Sequence, residues 1–182
     1  MLILASGSAR RQKLLRDAGL EFDIEVSDVE EFFDPQKNPE DIVTDLALQK
    51  AQSVFSKHPE DTVIAADTIV VFGNDILGKP ENEQDAYRML KLLSNETHSV
   101  FTGVAILKGE EKRVFFSRSD VTMKALSDLE IHNYIATGEP MDKAGAYGIQ
   151  GDGGALVDHF SGDFFTIVGL PLKDVLQSLK DM

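Results

Sequence analysis

A nearly unbroken apolar run from Thr62 to Phe72 constrains the fold more than any other part of the sequence, because such a run predicts a buried β-strand. One charged residue, Asp67, lies at the centre of this run. A buried carboxylate is costly unless a cation, a metal ion or several hydrogen bonds compensate its charge. The alternative is an aspartate at a strand end or bulge, held by neighbouring N–H groups. We favour a functional role for Asp67, because functional carboxylates often break the local pattern in this way.

The other segments predict a mixed α/β chain in which helices surround a central sheet. Further strands are predicted at residues 2–5, 21–26, 99–107, 112–126 and 164–168, with a short return strand after the turn at 73–75. Helices are predicted at residues 9–18, 38–57, 81–94 and 127–138, and a last helix begins at residue 171. Asn38 before Pro39 supplies a capping side chain, and Ser127 with Glu130 forms a capping-box pattern. Residues 138–163 are rich in glycine and predict an irregular functional loop region.

Length and composition limit the class of protein and the kind of metal site. The 182 residues fit a single domain, spanning residues 1–182. The absence of cysteine excludes disulfides and thiolate zinc sites. The four histidines are scattered without ligand spacing, so any metal is expected to be a hard cation held by carboxylate and phosphate oxygens.

The net charge of −13, from 18 basic and 31 acidic residues, disfavours nucleic acid and anionic membranes as partners. No apolar run approaches the roughly 20 residues that a membrane-spanning helix needs. At the N-terminus the apolar part precedes the basic part, the reverse of a secretory signal, so an intracellular location is expected. Basic residues that gather despite this overall charge indicate an anionic ligand.

The N-terminal strand–loop–helix segment has the composition of an anion site. Ser6, Gly7 and Ser8 precede a helix that carries Arg10 and Arg11. Backbone N–H groups at a helix start, hydroxyls and guanidiniums all favour phosphate oxygens. A capped helix with solvated arginines explains the local pattern equally well, and the spacing is not that of a Walker sequence.

Two lysines are candidates to accompany Asp67. Lys50 lies on the same helical stripe as the apolar residues Val43 and Val54, so it either extends to the surface or reaches inward. Lys79 follows the return strand and comes close to Asp67 if the hairpin forms.

Two loops could add further ligands. The acidic stretch from Asp28 to Asp34 is a candidate source of a second metal-binding carboxylate, although most of its members are expected to be solvated. In the glycine-rich region, Gln150 could pair with the edge of a base. A connecting loop without a ligand is the alternative for this region.

Three long motifs and one short one resemble the Maf (septum formation inhibitor) family. The matching segments are LASGSARRQKLL at 4–15, AADTIVVFGNDILGKP at 65–80, GEPMDKAGAYGIQG at 138–151 and VGLPL at 168–172. They occur in the family's order and span nearly the whole chain. The resemblance implies an α/β fold of the Maf/Ham1, ITPase-like kind, with an elongated mixed sheet flanked by helices and two lobes around a deep cleft.

The resemblance also implies an activity and roles for individual residues. It implies a cytoplasmic nucleotide pyrophosphatase that needs a divalent cation, Mg²⁺ or Mn²⁺, and commonly forms a homodimer. Asp67 corresponds to the proton acceptor, and Glu31 with Asp67 to the metal-binding carboxylates. The phosphate-binding residues that it implies are Ser6, Ser8, Arg11, Lys50 and Lys79.

Substrate choice in the family follows the residues that match Arg10, Thr68 and Gln150. The sequences Ala-Asp-Thr at 66–68 and Gly-Ile-Gln-Gly at 148–151 are similar to the branch that prefers dTTP and UTP. The branch acting on 7-methyl-GTP typically has Ser-Asp-Gln at the first of these places. Modified pyrimidine nucleotides remain open as the cellular substrate, as do other bases. A different kind of function, a nucleotide-binding regulator of septum formation and cell division, is the main alternative.

Overall fold

A computed structural model describes residues 1–182 and contains seven strands and six α-helices. The strands are β1 (Leu2–Leu4), β2 (Asp23–Ile24), β3 (Thr62–Phe72), β4 (Asp75–Leu77), β5 (Thr97–Lys108), β6 (Glu111–Met123) and β7 (Val157–Ser161). The helices are α1 (Ala9–Asp17), α2 (Pro39–Phe55), α3 (Glu83–Leu93), α4 (Asp128–Ala136), α5 (Phe164–Val168) and α6 (Leu172–Asp181). None of the helices is both long enough and apolar enough to cross a membrane.

All seven strands belong to one mixed sheet, which confirms the predicted α/β class. The strand order is β2-β1-β3-β5-β6-β7, and β4 pairs with β3 outside this path. β1 is parallel to both of its neighbours, with Leu4 opposite Ile64 of β3. β4 and β7 are antiparallel to β3 and β6 respectively.

The chain divides into two compact units. The first unit consists of Met1–Thr68, Thr102–Ser117 and Gly169–Met182, and the second of Ile69–Phe101 and Arg118–Val168. In the first unit, apolar side chains of α2 pack against β1, β3 and β5. The buried members of this core are Ile3, Ala5, Ala47, Ala51, Val54, Val63, Ala65, Ala105 and Leu107. In the second unit, α3 and α4 contribute the centre of the core, with Met89, Leu90, Leu93, Ile131 and Tyr134 buried.

Helix starts follow their local sequence signals, with one exception. Ser127 and Glu130 form both hydrogen bonds of the capping box at the start of α4, as predicted. Asn38 occupies the N-cap position of α2 with an extended backbone, but its side chain makes no capping hydrogen bond. The predicted cap is therefore wrong in its side-chain part, while Pro39 in the first turn is confirmed.

The structure corrects three predicted segments. The strand predicted at 164–168 is wrong, because these residues form the helix α5. A run of five residues, four of them apolar, does not distinguish strand from helix by periodicity. Here the Asp163 side chain accepts a hydrogen bond from the Phe165 N–H at the helix start (2.9 Å). The strand predicted at 21–26 is reduced to two residues, Asp23 and Ile24. The predicted loop region 138–163 contains β7 at its end and three short 3₁₀ turns before it.

Gly103 of β5 allows the sheet to approach α2 closely. A Cβ atom at this position would lie 2.3 Å from the Val43 carbonyl oxygen of α2. Since this neighbour is backbone within a helix, it cannot move aside as a flexible side chain would.

We expect Gly103→Ala to lower the free energy of unfolding by at least about 2 kcal/mol, because overpacking forces the helix off the sheet. Urea unfolding of the purified variant measures this change. Gly78→Ala is the matched control, since a Cβ atom there meets nothing within 4 Å. Equal stability of the two variants would contradict this close packing of α2 on β5.

A buried histidine of the second unit links stability to pH. His98 is 2% exposed, and its Nε2 atom lies 2.5 Å from the Tyr147 hydroxyl. Its Nδ1 atom is buried without a hydrogen-bond partner. Burial lowers the pKa of His98 from 6.5 to about 4, against a weaker opposing effect of Asp120.

Because the folded-state pKa of His98 is lowered, its neutral form stabilises the fold above pH 6.5, and this stability is lost as the pH falls from 6.5 towards 4. The loss amounts to about 3 kcal/mol. We expect His98→Gln, which carries no titrating group, to show a flatter decline of unfolding free energy across this range. Replacing the exposed His159 by Gln should leave the decline unchanged, and identical profiles for wild type and His98→Gln would be inconsistent with a buried neutral imidazole.

Candidate active site

An ion pair between β3 and α2 forms the centre of the candidate site in the first unit. The Lys50 Nζ atom lies 2.7 Å from the Asp67 Oδ1 atom, and the two side chains are only 16% and 15% exposed. Asp67 lies within β3, so it is not a strand-end aspartate. The predicted cation is thus Lys50, which reaches inward instead of extending to the surface.

Glu31 joins this pair from a segment without regular secondary structure. Its Oε1 atom lies 3.2 Å from the same Lys50 Nζ atom, and its side chain is 49% exposed. Two carboxylates from distant parts of the sequence therefore share one ammonium group. The exposed side of Glu31 leaves it accessible to a ligand.

Arg11 connects three segments of the first unit through its guanidinium group. Its Nε donates to the Gly169 carbonyl oxygen (2.7 Å), its Nη2 to the Thr68 hydroxyl (3.0 Å), and its Nη1 to the Ser6 hydroxyl (3.4 Å). Burial lowers the pKa of Arg11, while the negative charges of Asp67 and Glu31 act in the opposite direction. A solvated Arg11, the alternative drawn from the sequence, is therefore wrong.

The serines of the N-terminal loop shape the start of α1. Ser8 is the N-cap, and its hydroxyl accepts a hydrogen bond from the Arg11 N–H (3.3 Å). The hydroxyl of Ser6, which is buried, accepts from the Ser8 N–H (3.2 Å). Arg10 is half-exposed in the first turn of the helix, and its charge contributes to lowering the pKa of Arg11.

The Thr68 hydroxyl has two hydrogen-bond partners, Arg11 and a second residue that the sequence did not predict. This hydroxyl lies 2.9 Å from the hydroxyl of Thr102, a fully buried residue of β5. Thr102 is polar within the apolar part of β5, but threonine is common in strands, so its signal is much weaker than that of a carboxylate in β3. The Gly169 carbonyl could not have been identified, because a backbone acceptor leaves no trace in the sequence.

The second unit carries the two remaining predicted site residues. Lys79 is exposed and follows β4, whose antiparallel pairing with β3 confirms the predicted hairpin. Gln150 is exposed and immediately precedes a 3₁₀ turn at Gly151–Leu156. The Glu139 carboxylate fixes this turn by accepting hydrogen bonds from the Asp152 and Gly153 N–H groups (3.2 and 3.3 Å). That Lys79 and Gln150 act together with Asp67 stays a prediction.

The carboxylates of the first unit match the chemistry of a hard divalent cation. Asp67 and Glu31 offer oxygen donors, and both already face one positive charge at Lys50. No group of three or more His, Asp or Glu side chains converges to form a complete metal cage. Magnesium in triphosphate sites typically takes one or two carboxylates and completes its shell with phosphate oxygens and water, so this donor set fits.

The arrangement combines two chemical capacities in one unit. Lys50 and Arg11 supply positive charge that can stabilise phosphate oxygens, and Ser8 caps the start of the helix that carries Arg11. Asp67 supplies a carboxylate that can accept a proton. Hydrolysis of a phosphoanhydride needs both capacities.

The chain is similar to several known proteins. A dTTP/UTP pyrophosphatase of Bacillus mycoides is 50% identical over 179 residues, which cover 98% of this chain and 94% of that protein. A dTTP/UTP pyrophosphatase of Bacillus anthracis (strain CDC 684 / NRRL 3495) is 49% identical over the same lengths. Among solved structures, the Staphylococcus aureus Ham1 protein aligns over 99% of this chain and 97% of that chain, with a TM-score of 0.49 and 13% identity.

The model of the family described as Maf-like protein matches residues 1–182, the full length of the sequence. Together with relatives that are half identical over nearly the whole chain, this match leads to one conclusion. The chain belongs to the Maf family.

Proposed function

We propose that this protein hydrolyses dTTP and UTP to the nucleoside monophosphate and pyrophosphate. The observation that carries the proposal is the Lys50–Asp67–Glu31 group, a cation between two carboxylates in a unit that also contains Arg11. Support comes from the relatives that are half identical to the chain and are named dTTP/UTP pyrophosphatases.

In the proposed reaction, water attacks the α-phosphorus of the nucleotide. A bond forms between the water oxygen and this phosphorus, and the bond from the α-phosphorus to the oxygen bridging towards the β-phosphate breaks. The electron pair of the broken bond stays on pyrophosphate. Asp67 accepts the proton of the water, and we assign this role to its Oδ2 atom because Oδ1 is bonded to Lys50.

The cationic residues of the first unit offset the charge that builds on the leaving group. Lys50 and Arg11 are rigidly held, the first by two carboxylates and the second by three hydrogen bonds. Preorganised charges stabilise a transition state without the cost of reorientation. In this proposal Lys79 contributes a further positive charge to the triphosphate, and Ser6 and Ser8 bind phosphate oxygens.

A divalent cation, Mg²⁺ or Mn²⁺, is part of the proposal. Asp67 and Glu31 would hold it together with the phosphates of the substrate. When bound, such an ion neutralises phosphate charge and favours ionisation of water. Glu31 is suited to this role because half of its side chain is exposed while its carboxylate faces the site.

The preference for pyrimidines is proposed to depend on Arg10, Thr68 and Gln150. Thr68 is a suitable residue for discrimination, because its hydroxyl is fixed by Arg11 and Thr102 instead of rotating freely. A hydrogen bond to a fixed polar group discriminates between bases more sharply than apolar contact does. Gln150 can both donate to and accept from the edge of a base.

The proposal predicts metal-dependent release of pyrophosphate from dTTP and UTP. The measurement is a panel of canonical and methylated nucleoside triphosphates with Mg²⁺, with Mn²⁺ and with chelator. Turnover should favour dTTP and UTP and disappear with chelator. Asp67→Asn should keep its fold, measured by circular dichroism, and lose at least about 100-fold in kcat because the proton acceptor is removed.

Two results would count against the proposal. Near-normal turnover by Asp67→Asn would remove the assigned proton acceptor while leaving the activity. Nucleotide binding by the wild type without turnover on any substrate would instead favour the regulator of septum formation, for which binding alone suffices.

A further inference from the structure

Glu31 is held in place although it lies in an exposed loop. Residues 25–34 between β2 and α2 have no regular secondary structure, and residues 30–38 are all exposed. Such a loop is ordinarily mobile, and a mobile loop places a carboxylate poorly. The Lys50 ion pair alone is a weak constraint, because Glu31 is half-exposed and screened by solvent.

The side chain of Gln49 forms two hydrogen bonds with the backbone next to Glu31. Its Oε1 atom accepts a hydrogen bond from the Phe32 N–H (3.2 Å), and its Nε2 donates to the Phe32 carbonyl oxygen (2.7 Å). The Phe32 N–H belongs to the peptide group that joins Glu31 to Phe32. The side-chain amide of Gln49 therefore pairs with both backbone groups of Phe32, as a neighbouring β-strand would. This pairing fixes the orientation of the peptide group that follows Glu31, and with it the direction of the Glu31 side chain.

Gln49 belongs to a polar stripe along α2 that follows the loop. The stripe consists of Asp45, Gln49 and Ser53, which are spaced four residues apart and so share one face of α2, together with Lys57, which lies two residues beyond the end of the helix. Each member contacts the loop, and the contacts run in antiparallel order. The pairs are Asp45 with Lys37 (2.9 Å), Gln49 with Phe32, Ser53 with Asp28 (3.2 Å) and Lys57 with Asp28 (3.4 Å).

The contacts at the two ends of the stripe are weaker than the hydrogen bonds of Gln49. The Asp45–Lys37 and Lys57–Asp28 pairs are exposed ion pairs, which contribute little and weaken with salt. Only Gln49 bonds to backbone groups, and only Gln49 bonds next to Glu31. It also directly precedes Lys50, so the loop and the ion pair are held from adjacent residues of one helix.

We propose that Gln49 is a positioning residue that sets Glu31 against Lys50 and Asp67, and that the stripe on α2 is the strap holding the acidic loop. The effect of this strap on turnover rests on the proposed function. Its effect on the loop does not, because it concerns only the hydrogen bonds of Phe32.

The test compares Gln49→Met, which keeps the side-chain length without its hydrogen bonds, with Gln52→Met, which changes an exposed glutamine on the same helix. Hydrogen exchange of residues 28–34 should be faster in Gln49→Met and unchanged in Gln52→Met. The Mg²⁺ concentration for half-maximal dTTP turnover should rise about 10-fold in Gln49→Met alone. At saturating Mg²⁺, kcat should recover to near the wild-type value.

A double-mutant cycle with Glu31→Gln separates positioning from a general structural effect. If Gln49 acts through Glu31, the double variant should have the same kcat/KM as Glu31→Gln alone. Independent, additive losses would overturn the proposal, as would wild-type exchange of residues 28–34 in Gln49→Met. If the wild type releases no pyrophosphate, the proposed function fails, and the exchange experiment still decides whether Gln49 holds the loop.

Discussion

The Lys50–Asp67 ion pair is the interaction on which the rest of the first unit depends. A carboxylate in the middle of a buried strand is tolerated only if its charge is compensated, and removal of Lys50 would leave the charge of Asp67 without its cation. The cation comes from α2, so this helix must lie directly against the sheet. Gly103 makes that approach possible, because any side chain there would meet the Val43 backbone. The need to place Lys50 beside Asp67 thus explains why β5 has a glycine at position 103.

Arg11 likewise links several segments of the first unit. Its guanidinium joins the N-terminal loop, the middle of β3 and the Gly169 carbonyl, which begins the C-terminal part of the first unit. A group bonded on three sides carries its charge at a fixed position, which is what stabilisation of phosphate oxygens needs. Arg11 therefore contributes to both the tertiary structure and the proposed chemistry, and its substitution cannot affect one without the other.

The sequence predicted the central residues of the site because they conflict with their surroundings. Asp67 in an apolar strand and Lys50 on an apolar stripe each need a partner, and the structure brings the two together. Glu31 was different, because nothing local distinguishes it from the other acidic residues of its loop, and only the family resemblance selected it. Gln49 and Gly169 act through hydrogen bonds to or from the backbone, which no sequence pattern records. The helix at Phe164–Val168 was predicted as a strand, since so short and largely apolar a segment fits both periods equally.

The central claim is that the carboxylates and cations of the first unit promote attack of water at the α-phosphorus. Hydrolysis of dTTP in water enriched in oxygen-18 tests this claim most directly, with mass spectrometry of both products. The account predicts that the label enters thymidine monophosphate and that pyrophosphate remains unlabelled. Label in pyrophosphate, or release of inorganic phosphate with thymidine diphosphate, would place the attack at another phosphorus and contradict the account.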